Sequence, residues 1–168
     1  SKTGREVFST YEEDEDENTV KYKYDERQLL SKTIDSNENE TIYEYDPEER
    51  LVKTTYADDS STTVTYDKTG KVLSTTDAEN HTSTVVYDAN GRVVKETDKN
   101  GKEATVTYDA ASNVTSRTDR NSNTTSYTYD SMGRVLTETN AFNGVIEYTY
   151  NAAGDLLNVK DPMGNVTS

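Results

Sequence analysis

The stretch TVVYDANGRVVKETD, residues 84–98, predicts a β-strand, a tight turn and a second strand. Its central Tyr-Asp dipeptide returns along the chain at a constant step of 21 residues. The dipeptides are Tyr24-Asp25, Tyr45-Asp46, Tyr66-Asp67, Tyr87-Asp88, Tyr108-Asp109, Tyr129-Asp130 and the variant Tyr150-Asn151. A period held this strictly indicates a repeat architecture, so the function is sought in what the repeats build.

The composition alone would favour disorder. The 168 residues are 30% hydrophobic, carry a net charge of -14 and have a mean hydropathy of -0.99, and such chains have little apolar surface to offset chain entropy. The repeat outweighs this, because threonine, tyrosine and valine fill its uncharged positions and suit a pleated sheet. The sequence therefore predicts folded all-β structure with a thin core.

The charge and the residue inventory exclude several functions. An acidic chain repels phosphates, which argues against nucleic acid and anionic membrane surfaces as ligands. The chain has no cysteine, so it has no disulfide or thiolate zinc site. No apolar run approaches the ~20 residues of a membrane span, and no membrane insertion is predicted.

Aligning the units on the tyrosine as position 0 defines the hairpin. Position 6 is always aliphatic, and position -2 is tyrosine or valine on the tyrosine's own strand face. Position 4 is glycine in four units, which predicts a type I turn closed by a residue in the left-handed region. The aspartate at position 1 is expected to accept a hydrogen bond from the N–H two residues on. A second turn is expected around Asp35, Asp77, Asp98, Asp119, Asn140 and Asp161.

The tyrosine is expected to lie across the turn from the aliphatic residue at position 6. Such aromatic–aliphatic cross-strand pairs contribute about 0.2–1 kcal/mol each. Two strands per unit give about 15 strands in all, and single sheets of more than ~10 strands curl or split. The predicted fold is therefore a series of tandem 21-residue β-hairpin repeats that forms one long curved antiparallel sheet.

The repeat assigns structural rather than chemical roles to its most regular residues. The predicted structural anchors are Tyr24, Asp25, Tyr45, Asp46, Tyr66, Asp67, Tyr87, Asp88, Gly91, Tyr108, Asp109, Tyr129, Asp130, Gly133, Tyr150 and Gly154. No catalytic, cofactor-binding or metal-binding residue is predicted, because the carboxylates fall at turn positions of the repeat.

The pattern Tyr-Asp-x-x-Gly-Arg-hydrophobic, followed by Thr-Asp-x-x-Gly-Asn and Tyr-x-Tyr-Asp, resembles the YD repeat of the Rhs family. That family includes bacterial Rhs and wall-associated polymorphic toxins, the C component of insecticidal Tc toxins, and the animal teneurins. Residues 87–109 and 129–154 carry the resemblance best, whereas Gln28 and Glu49 replace the turn glycine. The resemblance implies a hairpin strip within a hollow shell that encloses a C-terminal domain, often a toxin. The residues DPMGN at 161–165 match only an ordinary second turn, not the family's autoproteolytic core.

The whole chain, 1–168, is predicted to be a single YD-repeat array of about seven units with partial ends. Residues 1–23 form an irregular first unit with an acidic insertion. Both termini ignore the repeat, which suggests an excerpt from a longer array. Unpaired sheet edges at both ends would favour edge-to-edge self-association.

Two further features of the sequence are candidates for metal binding or catalysis. The acidic run from Tyr11 to Asn18 lacks the spaced ligands and turn glycine of a calcium loop, so an elongated, solvated turn is expected. His81 is the single histidine, and it lies in a turn-to-strand segment beside Asn80 without a serine elbow or a second base.

The predicted function is a non-catalytic structural segment of a Rhs/YD-repeat shell that encapsulates a C-terminal toxin or effector domain. The parent would be a large bacterial protein, secreted or associated with the cell surface or cell wall. Its partners would be the rest of the shell and the enclosed domain. The alternative is an adhesive module that binds surface carbohydrate through exposed tyrosines, in which Tyr22, Tyr43, Tyr127 and Tyr148 lie on an accessible face.

Overall fold

A computed structural model describes residues 8–13 and 19–168 of the chain, and the side chains from residue 19 onward. These residues form sixteen strands and no helix, against about 15 strands expected. Accordingly, they contain no helix able to cross a membrane. The strands follow chain order in one antiparallel sheet, which confirms the predicted all-β strip of tandem hairpins.

The chain divides into two compact units, Ser1–Thr84 and Val85–Ser168. In the first unit the strands are β1 (Phe8–Glu13), β2 (Thr19–Tyr24), β3 (Leu30–Ile34), β4 (Glu40–Tyr45), β5 (Leu51–Thr55), β6 (Ser61–Tyr66) and β7 (Val72–Thr76). Strand β8 (Thr82–Tyr87) contains the boundary. The second unit continues with β9 (Val93–Thr97), β10 (Glu103–Tyr108), β11 (Val114–Thr118), β12 (Thr124–Tyr129), β13 (Val135–Thr139), β14 (Val145–Tyr150), β15 (Leu156–Lys160) and β16 (Val166–Thr167).

Each repeat pairs a six-residue strand that ends at the tyrosine with a five-residue strand that begins at position 6. Tyr66 pairs with Val72, Tyr45 with Leu51 and Tyr129 with Val135, which confirms the predicted aromatic–aliphatic partners. These pairs lie on the half-buried face of each strand, where they can contribute packing energy.

A β-bulge lies next to each of these tyrosine pairs, and the sequence analysis did not predict it. Thr65 pairs with Ser74 but Tyr66 pairs with Val72, so Leu73 is the extra residue on β7. The bulge leaves Leu73 37% exposed although it is aliphatic. Bulges increase local strand twist. The bulge at Leu73 therefore changes the direction of β7 just after the turn, while Val72 stays opposite Tyr66.

The sheet has no fully buried residue among residues 19–168. The tyrosine face is half-buried and the opposite face carries paired hydroxyls, such as Thr65 with Ser74 at 2.7 Å and Thr128 with Thr137 at 2.6 Å. The composition predicted a thin core; among residues 19–168 the tyrosine face is instead a half-buried layer without a buried hydrophobic residue. In a repeat array of this kind, the contacts that join one hairpin to the next contribute to the stability alongside those within each hairpin.

One second turn departs from the pattern and gives a testable prediction. Tyr56 occupies the position that aspartate or asparagine fills elsewhere, yet its N–H still donates to the Ser60 carbonyl at 2.9 Å. At the equivalent Asn140, Oδ1 accepts the N–H groups of Phe142 and Gly144, both at 2.9 Å. Tyr56 has no such acceptor, and Asp58 compensates in part by accepting the Ser60 N–H.

Replacing Tyr56 with asparagine should therefore raise the free energy of unfolding by about 0.5–1 kcal/mol, because it restores a local acceptor for turn N–H groups. Urea unfolding followed by circular dichroism measures the change. Tyr56→Ala removes the ring without adding the acceptor and serves as the matched control. Equal stability of the two variants would contradict the prediction.

Candidate functional site

The contacts that connect successive hairpins form the candidate site, and they are built on the turns. In the turn after Tyr66, the Asp67 N–H donates to the Lys71 carbonyl at 2.8 Å and the Gly70 N–H donates to the Asp67 carbonyl at 3.2 Å. Asp67 Oδ1 accepts the N–H groups of Thr69 at 2.7 Å and of Lys71 at 2.9 Å. The bond to the residue two positions on was predicted; the bond four positions on is an additional finding.

The residue at position 4 of each first turn has a positive φ, as predicted. Gly91, Gly133 and Gly154 have φ values of 76°, 79° and 98°. Gln28 and Glu49, which replace the glycine, take φ values of 64°. These two units keep the same turn, although a residue with a side chain is less stable than glycine in the left-handed region.

In five repeats the tyrosine at the end of the repeat reaches back to the preceding repeat. The ladder between β5 and β6 pairs residues 53–55 with 61–63, and beyond it the Tyr66 O–H donates to the Leu51 carbonyl at 3.0 Å. The same bond joins Tyr45 to Leu30, Tyr108 to Val93, Tyr129 to Val114 and Tyr150 to Val135 at 2.7–3.0 Å. The tyrosine hydroxyl thus provides a hydrogen-bond donor to a part-buried backbone carbonyl of the neighbouring hairpin.

An arginine completes the connection where it follows the turn aspartate by four residues. Arg50 Nε donates to Asp46 Oδ2 at 2.7 Å, and its Nη1 donates to the carbonyl of Asp67 in the next turn at 3.0 Å. Its Cζ lies 4.7 Å from the centre of the Tyr66 ring. Arg50 therefore ties its own turn aspartate to both the next tyrosine and the next turn.

Two further arginines repeat parts of this arrangement in the second unit. Arg134 Nε donates to Asp130 Oδ2 at 2.6 Å and Nη1 to the Asn151 carbonyl at 3.3 Å, with Cζ 4.7 Å from the Tyr150 ring.

Arg92 stacks on Tyr108 at 4.2 Å and binds Asp88; its Nη1 is buried without a hydrogen-bond partner. In the sequence the arginine stands out only as part of the Gly-Arg pair of the motif. Its signal was the recurrence of arginine four residues after the aspartate.

Substituting Arg50 by lysine should lower the free energy of unfolding by about 0.5–1 kcal/mol, because an ammonium group cannot reproduce the planar stacking and the forked hydrogen bonds. A lysine is tolerated in the fold, since Lys71 occupies the equivalent position one repeat later. The urea midpoint reports the loss. The reciprocal variant Asn113→Arg should gain stability, and a midpoint unaffected by either change would refute the role given to the guanidinium.

The turn hydrogen bonds also set the charge state of the aspartates. The backbone N–H of Arg92, and after it the Arg92 guanidinium, lowers the pKa of the Asp88 carboxyl below its ordinary value. The side-chain amide of Asn113, and after it the Asn113 N–H, lowers the pKa of Asp109 in the same way. The carboxylates therefore bind the turns in their ionised form.

In the structure, predicted anchor residues such as Tyr45 and Tyr66 contact the hairpin of the preceding repeat through their hydroxyl groups. Each tyrosine lies beside its turn aspartate, and Asn151 takes the place of the aspartate in the last unit, where its Oδ1 accepts the Asp155 N–H at 2.9 Å. The role of these residues as the anchors of the array stays a prediction. The acidic insertion lies largely outside the described residues, because residues 14–18 are not described and the side chains of 11–13 are not either.

The tyrosines of the carbohydrate alternative lie on the half-buried face. Tyr22, Tyr43, Tyr127 and Tyr148 are half-buried, as are their position 0 neighbours. Burial raises the pKa of Tyr148 and of Tyr129, in keeping with rings partly removed from water. Nothing in this arrangement specifically favours sugar stacking over packing.

These features define a tandem-hairpin repeat strip whose units are joined by tyrosine and arginine contacts. The family model described as the teneurin YD-shell matches residues 6–156. The chain belongs to this family, which confirms the predicted resemblance to Rhs/YD-repeat proteins. It is therefore a structural, shell-type segment.

Solved structures of Tc toxin components are similar to the chain. The likeness to the TcdB2-TccC3 complex has 17% identity over 88% of the chain at a TM-score of 0.48. The likenesses to TcdB2-TccC3-Cdc42 and to the Photorhabdus luminescens Tc holotoxin pore each have 14% identity over 85% of the chain at a TM-score of 0.48. The chain spans 11% of the length of each of these proteins. No curated protein sequence matches it.

Proposed function

We propose that the chain is a non-catalytic wall segment of a large bacterial Rhs/YD-repeat shell, secreted or surface-borne, that encapsulates a C-terminal toxin or effector domain. The observation that supports this most is the recurrence of one connection between repeats. The same tyrosine-to-carbonyl bond occurs five times at 2.7–3.0 Å. A recurring connection extends a wall by addition of identical units, as repeat proteins do.

The chemistry of the described residues supports a passive role. Oδ1 of the turn aspartates accepts hydrogen bonds from backbone N–H groups. In several of them Oδ2 also accepts a hydrogen bond from the side chain four residues on, as in Asp46 with Arg50 and Asp109 with Asn113. A general acid or base needs a carboxylate directed at a substrate. These carboxylates instead hold the turns, and the rest of the shell is the expected partner of the segment.

Protection of the C-terminal domain in the full-length parent protein tests the proposal. A broad-specificity protease would be applied with and without mild urea, while the C-terminal segment is followed by immunoblot. Protection in native buffer that is lost only as the repeats open supports encapsulation. Immediate cleavage of a folded parent would refute it, and saturable shifts of tyrosine fluorescence with a sugar panel would then favour the adhesive alternative.

Matched variants in the same parent sharpen the experiment. Tyr66→Ala removes one connection between repeats and should expose the C-terminal segment at a lower urea concentration than in the wild type. Tyr56→Ala deletes the same ring at a 40% exposed position outside these connections and should not. If both variants exposed the C-terminal segment at the same urea concentration, protection would not depend on the contacts between repeats, and this result would count against the proposal.

A further inference from the structure

The second turn at residues 77–81 places two carboxylates close to the imidazole of the chain's single histidine. Asp77, Glu79 and His81 have one ligand atom each within 4.8 Å of one another. His81 Nδ1 lies 3.4 Å from Asp77 Oδ2 and 3.3 Å from Glu79 Oε2. From this geometry we propose that the turn is a surface binding site for a first-row transition metal ion, with Zn²⁺ as the representative ion.

The distances agree with the edges of a zinc coordination polyhedron. Zinc binds imidazole nitrogen at about 2.0–2.1 Å and carboxylate oxygen at about 2.0–2.2 Å in tetrahedral geometry, so two ligand atoms lie about 3.3–3.5 Å apart. Both separations from Nδ1 fall in this range. The two carboxylate oxygens lie within 4.8 Å of each other, and an ion bound by all three side chains would hold them at about the same tetrahedral edge length.

The turn itself orients the ligands. Asp77 Oδ1 accepts the N–H groups of Glu79 at 3.0 Å and of His81 at 2.9 Å. These bonds fix the carboxylate so that its second oxygen faces His81, and they hold the two other ligands on the same side of the turn. Outer hydrogen bonds of this kind orient the ligands of metal sites.

The donor set selects the class of metal. One imidazole and two carboxylates suit zinc, copper and nickel, whereas calcium and magnesium prefer oxygen ligands alone. The side chains are accessible to solvent, with His81 47% and Glu79 75% exposed, so water can complete the coordination. The spacing Asp-x-Glu-x-His occurs once in the chain, which has a single histidine.

The equivalent turns supply matched controls. The position of His81 is filled by asparagine in three other second turns, at Asn39, Asn123 and Asn165. His81→Asn should therefore keep the fold and the metal-free urea midpoint while it removes the nitrogen ligand. Glu79→Gln removes a carboxylate from an exposed position and is the second variant.

Titration of the folded chain with ZnCl₂ in a non-chelating buffer, by calorimetry and by NMR of the single histidine, tests the site. We expect one bound ion, a shift of the His81 ring resonances, and an affinity at least about tenfold lower in His81→Asn and in Glu79→Gln. CaCl₂ at the same concentrations should leave the ring resonances unchanged. Unshifted resonances with ZnCl₂, or unchanged affinity in both variants, would overturn the proposal.

A transplant gives an independent gain-of-binding test in the second unit. Asn121→Glu with Asn123→His recreates the set beside Asp119, whose Oδ1 already accepts the N–H groups of both positions at 2.8 and 2.9 Å. The doubly substituted chain should bind two zinc ions in place of one. A folded variant that still binds one ion would show that the spacing is insufficient and would overturn the proposal.

Discussion

Replacing Tyr66 by alanine should lower the free energy of unfolding by about 2–3 kcal/mol. The ring is half-buried and pairs with Val72 across the hairpin, its O–H donates to the Leu51 carbonyl, and Arg50 lies over its face. Truncation of a fully buried aromatic ring costs about 3–5 kcal/mol. The partial exposure of Tyr66 reduces the packing loss, while the unpaired Leu51 carbonyl and the unstacked guanidinium add to it.

Two variants separate the components of this loss. Tyr66→Phe keeps the ring and removes the hydroxyl, so it should cost about 0.5–1.5 kcal/mol. Tyr56→Ala removes an exposed ring outside the connections between repeats and should change stability by no more than about 0.5 kcal/mol. Urea unfolding followed by circular dichroism gives all three values. Similar losses at Tyr66 and Tyr56 would show that the contact with the preceding hairpin contributes nothing.

The Tyr66 variants also test how the repeats depend on one another. Stability in a repeat array is close to a sum of unit and nearest-neighbour terms, so the loss should be local. Hydrogen exchange should accelerate most at amides of β5, β6 and β7. A double-mutant cycle with Arg50→Lys and Tyr66→Ala should show coupling of about 0.5–1 kcal/mol, because the two side chains share one contact.

The sequence predicted the parts of the fold that depend on local chemistry. The dipeptide Tyr66-Asp67 and the glycine at position 4 fix a turn that spans five residues, so its left-handed residue and its cross-strand pair follow from the residues themselves. The bulge at Leu73 did not follow, because period-two alternation assumes an uninterrupted strand. Period-two alternation does not show that Leu73 is the extra residue of the bulge.

The contacts between repeats could not be derived from a single hairpin. The Tyr66 O–H bond spans 15 residues and the Arg50 Nη1 bond spans 17, and both depend on how far the β5–β6 ladder extends. The sequence showed only that tyrosine and arginine recur. The turn at Tyr56 escaped prediction because it lacks aspartate, although its backbone hydrogen bonds are those of the other turns.

Acidification should destabilise the fold from about pH 4 downward. Asp88, Asp109 and Asp130 all have folded-state pKa values below the ordinary value, and backbone or side-chain donors to the ionised carboxylate are the causes. A lowered folded pKa means that the stabilisation is complete above the unfolded pKa. It is lost as the pH falls through the folded pKa, because protonation weakens the bonds that the carboxylate accepts.

The negative net charge acts against this loss of stability on acidification, so the two contributions have to be measured separately. With a net charge of -14 the folded chain repels itself at neutral pH, and protonation relieves that repulsion. In about 1 M salt the Debye length is about 3 Å, so the diffuse repulsion is screened while hydrogen bonds inside each turn are kept. The urea midpoint in that salt should therefore fall between about pH 6 and about pH 3.

Asparagine at the turns provides the control that identifies the titrating groups. The natural turns at Asn140 and Asn151 show that an amide oxygen can accept the same backbone N–H groups without titrating. A chain with Asp109→Asn and Asp119→Asn should begin less stable at neutral pH and lose less on acidification than the wild type. If both chains lost the same stability between about pH 6 and about pH 3, the acid sensitivity would have to come from carboxylates outside these turns, and the turn aspartates would serve the fold through geometry alone.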